Sequence, residues 1–242
     1  MPTAHTTLHC LSPLGCDTPN VESLTSYFCR LSTSHSTSSR DMAAWILTKA
    51  GQPVPDDFRW FRRSFSGCSP ETAEWASRLS ALTGVSHLER LTLVPWAPFV
   101  SRSRLCSTKD RWCPACLTED YKSGATPYLR LLWDVSAAVA CPGHKVQLVH
   151  TCPHCEKHKV RHRASFVIPG YCTSCGGFLG DAETTPASSH DVCVAEQIGA
   201  LLALPPEAPT RPISALLQDI VVTCTGGNLQ ALYALHLPHN CS

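Results

Sequence analysis

Apolar positions recur at helical spacing three times in the first hundred residues and again after residue 190. In Val21–Ser32 (VESLTSYFCRLS), Leu24, Phe28 and Leu31 fall on one face of a 3.6-residue repeat and predict a helix. The polar run Ser34–Ser39 follows as a loop. Asp41 then stands where it can cap a helix carrying Met42, Ala43, Trp45, Ile46 and Leu47, which Gly51-Gln52-Pro53 stops. Ser69-Pro70-Glu71 starts a third helix, with Ser69 as the cap and Pro70 at the first helical position, where its missing N–H is no loss. The run ETAEWASRLSAL, the break Thr83-Gly84-Val85 and the run SHLERLTL predict two short helices around a glycine turn. That is a helix-turn-helix pattern, with Ser86–Leu93 as its reader. Ala76, Leu79, Leu82, Val85, Leu88 and Leu91 pack the pair, and His87, Glu89 and Arg90 face outward.

After the polar stretch 181–190, Val192–Leu204 is a further helix, ended by Pro205-Pro206. Ile213–Val222 and Asn228–Leu235 predict two more short helices around Gly226-Gly227. The sequence divides into a Pro/Ser/Thr-rich leader (1–20), a helical region (21–100), a cysteine-rich region (101–182) and a helical tail (191–242).

Composition adds a constraint. Of 242 residues, 43% are hydrophobic, which is ordinary for a folded chain, while 19 prolines favour short elements and many turns. The formal net charge of +1 gives no bulk attraction to nucleic acid or membrane. Its distribution is uneven: residues 1–100 carry equal numbers of basic and acidic groups, residues 101–163 carry 11 basic against 5 acidic, and residues 164–242 carry 1 against 6. No apolar run reaches the ~18–20 residues of a membrane helix, and the first twenty residues show no basic and apolar signal pattern. No membrane partner and a cytoplasmic location are therefore expected.

The 15 cysteines carry the chemistry. Their odd number does not suit a fully paired disulfide framework. From Arg111 the chain reads RWCPAC, then CPGH at 141–144, CPHC at 152–155 and CTSC at 172–175, giving four two-residue-spaced knuckles. Each knuckle offers two ligands from one tight turn, so two knuckles close a tetrahedral shell. Taken in order, Cys113, Cys116, Cys141 and His144 make one site, and Cys152, Cys155, Cys172 and Cys175 make a second. A cross-braced pairing, first knuckle with third and second with fourth, is also compatible with the spacing. Thiolate-rich, four-ligand shells suit Zn2+ and leave no open position, so two structural zinc ions are expected.

Other uses of cysteine fit less well. A thioredoxin-like pair needs one C-x-x-C beside a βαβ unit, and an iron–sulfur cluster needs another cadence. A zinc deaminase needs H-x-E followed by P-C-x-x-C. After His87-Leu88-Glu89 the proline position holds Trp112, and after His154-Cys155-Glu156 no such motif follows. The fold class is thus a small zinc-stapled α+β fold: an N-terminal helix-turn-helix-like domain, two tandem zinc-ribbon-like modules and a short helical tail.

Between Cys155 and Cys172, Lys157, Lys159, Arg161 and Arg163 alternate with His158, Val160 and His162. This alternation predicts an exposed strand edge with a basic stripe. Such a stripe either keeps the edge solvated or meets a phosphate backbone or an acidic partner. His87 and Arg90 of the reader segment are the other candidate contacts.

These features coincide with a known pattern. ESLTSYFCRLS, the hairpin ending in LTL, RWCPAC, the Arg130–Trp133 pair, CPGH, LVHTCPHC and CTSCGGFL together resemble the TniQ family, target-selection proteins of Tn7-like and CRISPR-associated transposons related to TnsD. The resemblance spans roughly 20–185, and GGNLQALYALHLP looks like the opening of that family's later helix-turn-helix, which this sequence does not complete. It implies a non-catalytic adaptor between a targeting complex and the transposon AAA+ ATPase (TnsC- or TniB-like), directing DNA integration. The targeting complex is DNA itself or an RNA-guided CRISPR effector with its guide RNA. By the same resemblance the eight knuckle residues map onto zinc ligands, with Arg111, Trp112 and Trp133 beside the first site and the tryptophans packed around the metal.

The alternative is an autonomous, sequence-specific DNA-binding protein that reads with Ser86–Leu93 and grips phosphates with 157–163. A hydrolase is the least favoured class: Walker A, H-E-x-x-H and G-x-S-x-G are all missing, and nothing around Asp134, Asp181 and Asp219 marks a metal triad.

Overall fold

The computed structural model describes residues 6–62, 65–97 and 105–204. Among these, α1 (Leu24–Ser34), α2 (Ser39–Lys49) and α3 (Pro70–Thr83) build the N-terminal half. α4 (Pro114–Lys122), the two-stranded ladder β1 (Ala140–Cys141) and β2 (Val146–Gln147), and α5 (Ser189–Leu202) build the rest. The predicted tail helices Ile213–Val222 and Asn228–Leu235 lie outside the described residues. None of the described helices is long and apolar enough to cross a membrane.

Side-chain caps set the helix starts. Ser23, Ser38, Ser69 and Ser188 each accept a hydrogen bond from a backbone N–H of the first turn. The cap of α2 is Ser38, three residues before the expected Asp41. Asp41 sits at the third helical position and also accepts the Ser38 hydroxyl proton at 2.7 Å. α3 begins and ends as its sequence predicts, with Ser69 and Pro70 at the start and Gly84 in the left-handed conformation (φ 72°) at the end.

The reader helix does not form. Only Leu88–Leu91 is helical, as a single 3-10 turn entered through His87 at φ 62°, a left-handed conformation that an α-helix cannot contain. Leu88 and Leu91 are buried as predicted. With the apolar residues of so short a segment committed to α3 and the core, no second helical face is left to enter a groove. Arg90 is tied to Asp17 of the leader, and His87 lies 3.3 Å from Glu89.

The leader is correspondingly docked. Leu8 is buried and donates its N–H to Leu82 O, and the Arg30 guanidinium donates to Ser12 O. One hydrophobic cluster runs from Leu8 to Leu202. At its centre Phe28, Trp60, Phe65 and Trp75 stack with Phe28–Phe65 and Phe65–Trp75 centroids 4.7 Å apart. The halves are laced by an antiparallel bridge between Glu22 and Arg130, where Ser23 N–H donates to Leu129 O and Leu131 N–H to Val21 O. The Trp60 indole N–H reaches Ala164 O, and Arg40 N–H reaches Ser165 O.

Two buried ion pairs flank this bridge. Glu22, fully buried, accepts two bonds from Arg30 (2.7 and 2.6 Å), one from the Ser26 hydroxyl and one from Leu14 N–H. Arg130 grips Asp120 through both terminal nitrogens (2.6 and 2.7 Å) and stacks on Tyr128. Burial pulls the Arg130 pKa down, but the Asp120 hydrogen bond and the surrounding negative groups together raise it. Glu22→Ala removes one half of a buried pair and leaves Arg30 unpaired; it is expected to cost about 3–5 kcal/mol, measured by urea unfolding of the zinc-loaded protein.

Candidate metal centre

The four knuckles fall into two tight clusters, paired in sequence order: Cys113, Cys116, Cys141 and His144, and Cys152, Cys155, Cys172 and Cys175. Within each, all four ligand atoms lie within 4.8 Å of one another, and the alternate-knuckle pairing does not occur.

The spacing of the ligand atoms tests the fit. A tetrahedral zinc with Zn–S of about 2.3 Å and Zn–N of about 2.0–2.1 Å requires S···S edges of about 3.8 Å and S···N edges of about 3.6 Å. In the first cluster Cys116 and Cys141 Sγ are 3.6 Å apart, and His144 Nδ1 lies 3.6, 3.4 and 3.5 Å from Cys113, Cys116 and Cys141. In the second, the Cys152–Cys175 and Cys155–Cys172 edges are both 3.8 Å. Disulfides would need about 2.05 Å. The donor sets and edges therefore fit two Zn2+ ions with every tetrahedral position filled by protein.

Local backbone chemistry explains the cages. In the first knuckle Cys113 is the N-cap of α4 and Pro114 its first residue, so the opening helical turn carries Cys116 around toward Cys113. The other three knuckles share another device. The N–H of the residue after the motif (Lys145, Glu156, Gly176) donates back to the carbonyl of its first cysteine at 2.8–3.0 Å. All three residues have positive φ (56°, 56° and 76°). Glycine takes this conformation freely, whereas Lys145 and Glu156 hold it at a cost of roughly 1–2 kcal/mol each. Each turn then closes a short hairpin, through Ala140↔Gln147, Thr151↔His158 and Tyr171↔Phe178.

His144 is oriented from behind. Its Nδ1 faces the thiols and its Nε2 lies 2.9 Å from the Glu119 carboxylate on α4, an arrangement that fixes the tautomer and strengthens the ligand. Cys141 carries the depressed thiol of the set, lowered by contacts from Cys113 and Cys116 and by the backbone of His144. In the second cage the Lys157 backbone N–H pulls the Cys155 thiol down to about 7. Cys29, outside both cages, is pushed up to about 12 by burial.

The cages differ in depth. Cys113, Cys116 and Cys141 are buried, as are Trp112 and Trp133; the Trp112 indole N–H donates to Leu179 O at 2.9 Å. The second cage sits at the rim, with Cys175 exposed and Cys155 half-buried.

The expected basic stripe is not a strand. Residues 157–163 make one isolated bridge, at His158. Lys157, Lys159 and Arg163 are exposed, but Arg161 is buried, donating to Arg111 O at 2.7 Å and paired with Asp134. Alternation of charge was a poor guide here because Val160 and Arg161 both turn inward, next to each other in sequence. The buried pairs Arg161–Asp134 and Arg130–Asp120 join residues far apart in sequence and carried no signal there.

With this geometry in view, comparison with known families is decisive: the TniQ family model matches residues 13–148. The chain belongs to the TniQ family. The match takes in the end of the leader, α1–α4 and the whole first cage, while the second cage lies beyond it. TniQ membership associates the protein with transposition. A search of curated proteins found no match.

Three outcomes are expected of disturbing the cages. Cys116→Ser opens a shell embedded in the core and should abolish cooperative unfolding of the entire chain. Cys175→Ser should release one of two zinc ions, counted by elemental analysis, while the helical circular dichroism persists. Glu119→Ala should weaken the first zinc about 10–100-fold in chelator competition and leave the second unchanged.

Proposed function

We propose that this protein is a non-catalytic target-selection adaptor, connecting a targeting complex to the transposon AAA+ ATPase and so directing DNA integration. The observation that carries the reading is the family match over residues 13–148, whose last third holds the closed first cage. Both cages spend all four positions on protein ligands, so neither offers a metal-bound water or a substrate position. Such metals supply folding free energy and rigidity, which suits a connector.

The mechanism is geometric. A rigid body that touches two assemblies makes the second contact effectively intramolecular, raising local concentration without new chemistry. The targeting complex is read here as DNA or an RNA-guided CRISPR effector. Lys157, Lys159, Arg163 and His87, exposed on the surface, are the contact residues that remain available. The autonomous DNA-reader alternative is weakened, because Ser86–Leu93 offers a four-residue 3-10 turn with buried leucines instead of a recognition helix.

Co-purification with the neighbouring transposon ATPase tests the proposal. Retention is expected in the presence of DNA and nucleotide and should fall when Lys157, Lys159 and Arg163 are together changed to Ala. Tight binding to one short duplex without any partner, with a steep salt dependence, would overturn it in favour of the autonomous reader.

A further inference from the structure

The two cages offer their sulfurs to solvent very differently. In the first, Cys113, Cys116 and Cys141 are all buried, and the ligand that approaches the surface is His144, whose imidazole carries no sulfur to oxidise. In the second, Cys175 is exposed and Cys155 half-buried, with Cys152 and Cys172 buried behind them. Metal ligation keeps such sulfurs deprotonated, and the thiolate is the form that attacks an oxidant. Access to solvent therefore decides which of them react.

The second cage is also arranged for a second step. Each outer sulfur has an inner one 3.8 Å away: Cys175 beside Cys152, and Cys155 beside Cys172. A disulfide needs about 2.05 Å, so each pair closes by roughly 1.8 Å. Both pairs join the hairpin 151–158 to the hairpin 171–178, which also meet through polar contacts. Lys157 Nζ donates to Ser174 Oγ at 2.9 Å, and Thr173 N–H donates to Val160 O at 2.8 Å. Phe166 and Ile168, between the hairpins, stay exposed, so little apolar packing opposes a shift of that size. In the first cage Cys116 and Cys141 are as close, at 3.6 Å, yet both lie in the core, out of reach of a dissolved oxidant.

We propose that the second cage is a reversible oxidation site for peroxide, giving up its zinc as the disulfides Cys152–Cys175 and Cys155–Cys172 form, while the first cage keeps its own ion. The Cys175 thiolate attacks hydrogen peroxide and breaks the O–O bond, leaving a sulfenic acid on Cys175 and releasing hydroxide. Cys152 Sγ then attacks that sulfur, forms the S–S bond and expels a second hydroxide. Two electrons pass from the sulfur pair to the peroxide. Cys155 and Cys172 repeat the sequence with a second peroxide. Four thiolates have then become two disulfides, which no longer supply the charge that held the ion. The inference does not depend on the adaptor reading, since its readouts are zinc and thiols.

Hydrogen peroxide added to the zinc-loaded full chain, with a colorimetric chelator reporting free zinc against a peroxide-free control, tests the site. One zinc per chain should appear at least about tenfold faster than the other, following the exposure of the sulfurs. Mass mapping of the one-zinc product should find Cys152 joined to Cys175 and Cys155 to Cys172, with Cys113, Cys116 and Cys141 still reduced. Helical circular dichroism should persist, and dithiothreitol with added zinc should restore the two-zinc protein. Cys175→His, which leaves a shell of three thiolates and one imidazole, should retain both ions and form only the Cys155–Cys172 bond. No peroxide-dependent release, loss of both ions together, or oxidation of the first cage before the second would each overturn the proposal. Disulfides within single knuckles, or sulfinic and sulfonic acids that dithiothreitol cannot reverse, would overturn it equally.

Discussion

The first cage, formed by Cys113, Cys116, Cys141 and His144, is the constraint on which the remaining structure hangs. A tetrahedral shell fixes four side chains relative to one another, and here they come from the start of α4 and from the β1–β2 hairpin. α4 then projects Glu119 back to His144 and Asp120 out to Arg130. Arg130 bridges to Glu22 through the backbone, and Glu22 holds Arg30, whose guanidinium reaches Ser12. One connected set of ligand, charge and backbone contacts thus runs from the metal position to the leader. The Arg30–Glu22 and Arg130–Asp120 pairs in it are buried or nearly so, where an unpaired member would be costly.

The second cage plays a different part. Its hairpins, 151–158 and 171–178, repeat the turn used at 140–147, with the same left-handed residue after the knuckle. The segment between them has few apolar groups to bury; Val160 and Val167 turn inward while Phe166 and Ile168 stay exposed. Such a segment holds its shape by ligation more than by packing. This explains why two of its cysteines, Cys155 and Cys175, reach toward the surface while the three of the first cage are buried.

Four helices (α1, α2, α3 and α5), their apolar faces and the eight candidate ligands were legible in the sequence. Helix spacing, Ser-Pro starts, a glycine stop and two-residue cysteine spacing are local signals, decided within a few residues. The family was legible for the same reason, since its motifs are contiguous strings around the knuckles. The sequential pairing of knuckles was not, because spacing alone fits two arrangements and only chain path chooses between them.

The sequence by itself determined which residues are able to bind metal, where helices begin and which of their faces are apolar. Tertiary structure alone decided that Leu88–Leu91 is a buried 3-10 turn, that Arg161 turns inward to Asp134, and that the leader docks on α1 and α3. The last two depend on partners 27 residues away for Arg161 and 74 for Leu8. Burial and ion pairing reward contacts made in space, whatever the separation along the chain, and a one-dimensional pattern of charge or hydrophobicity holds no record of them.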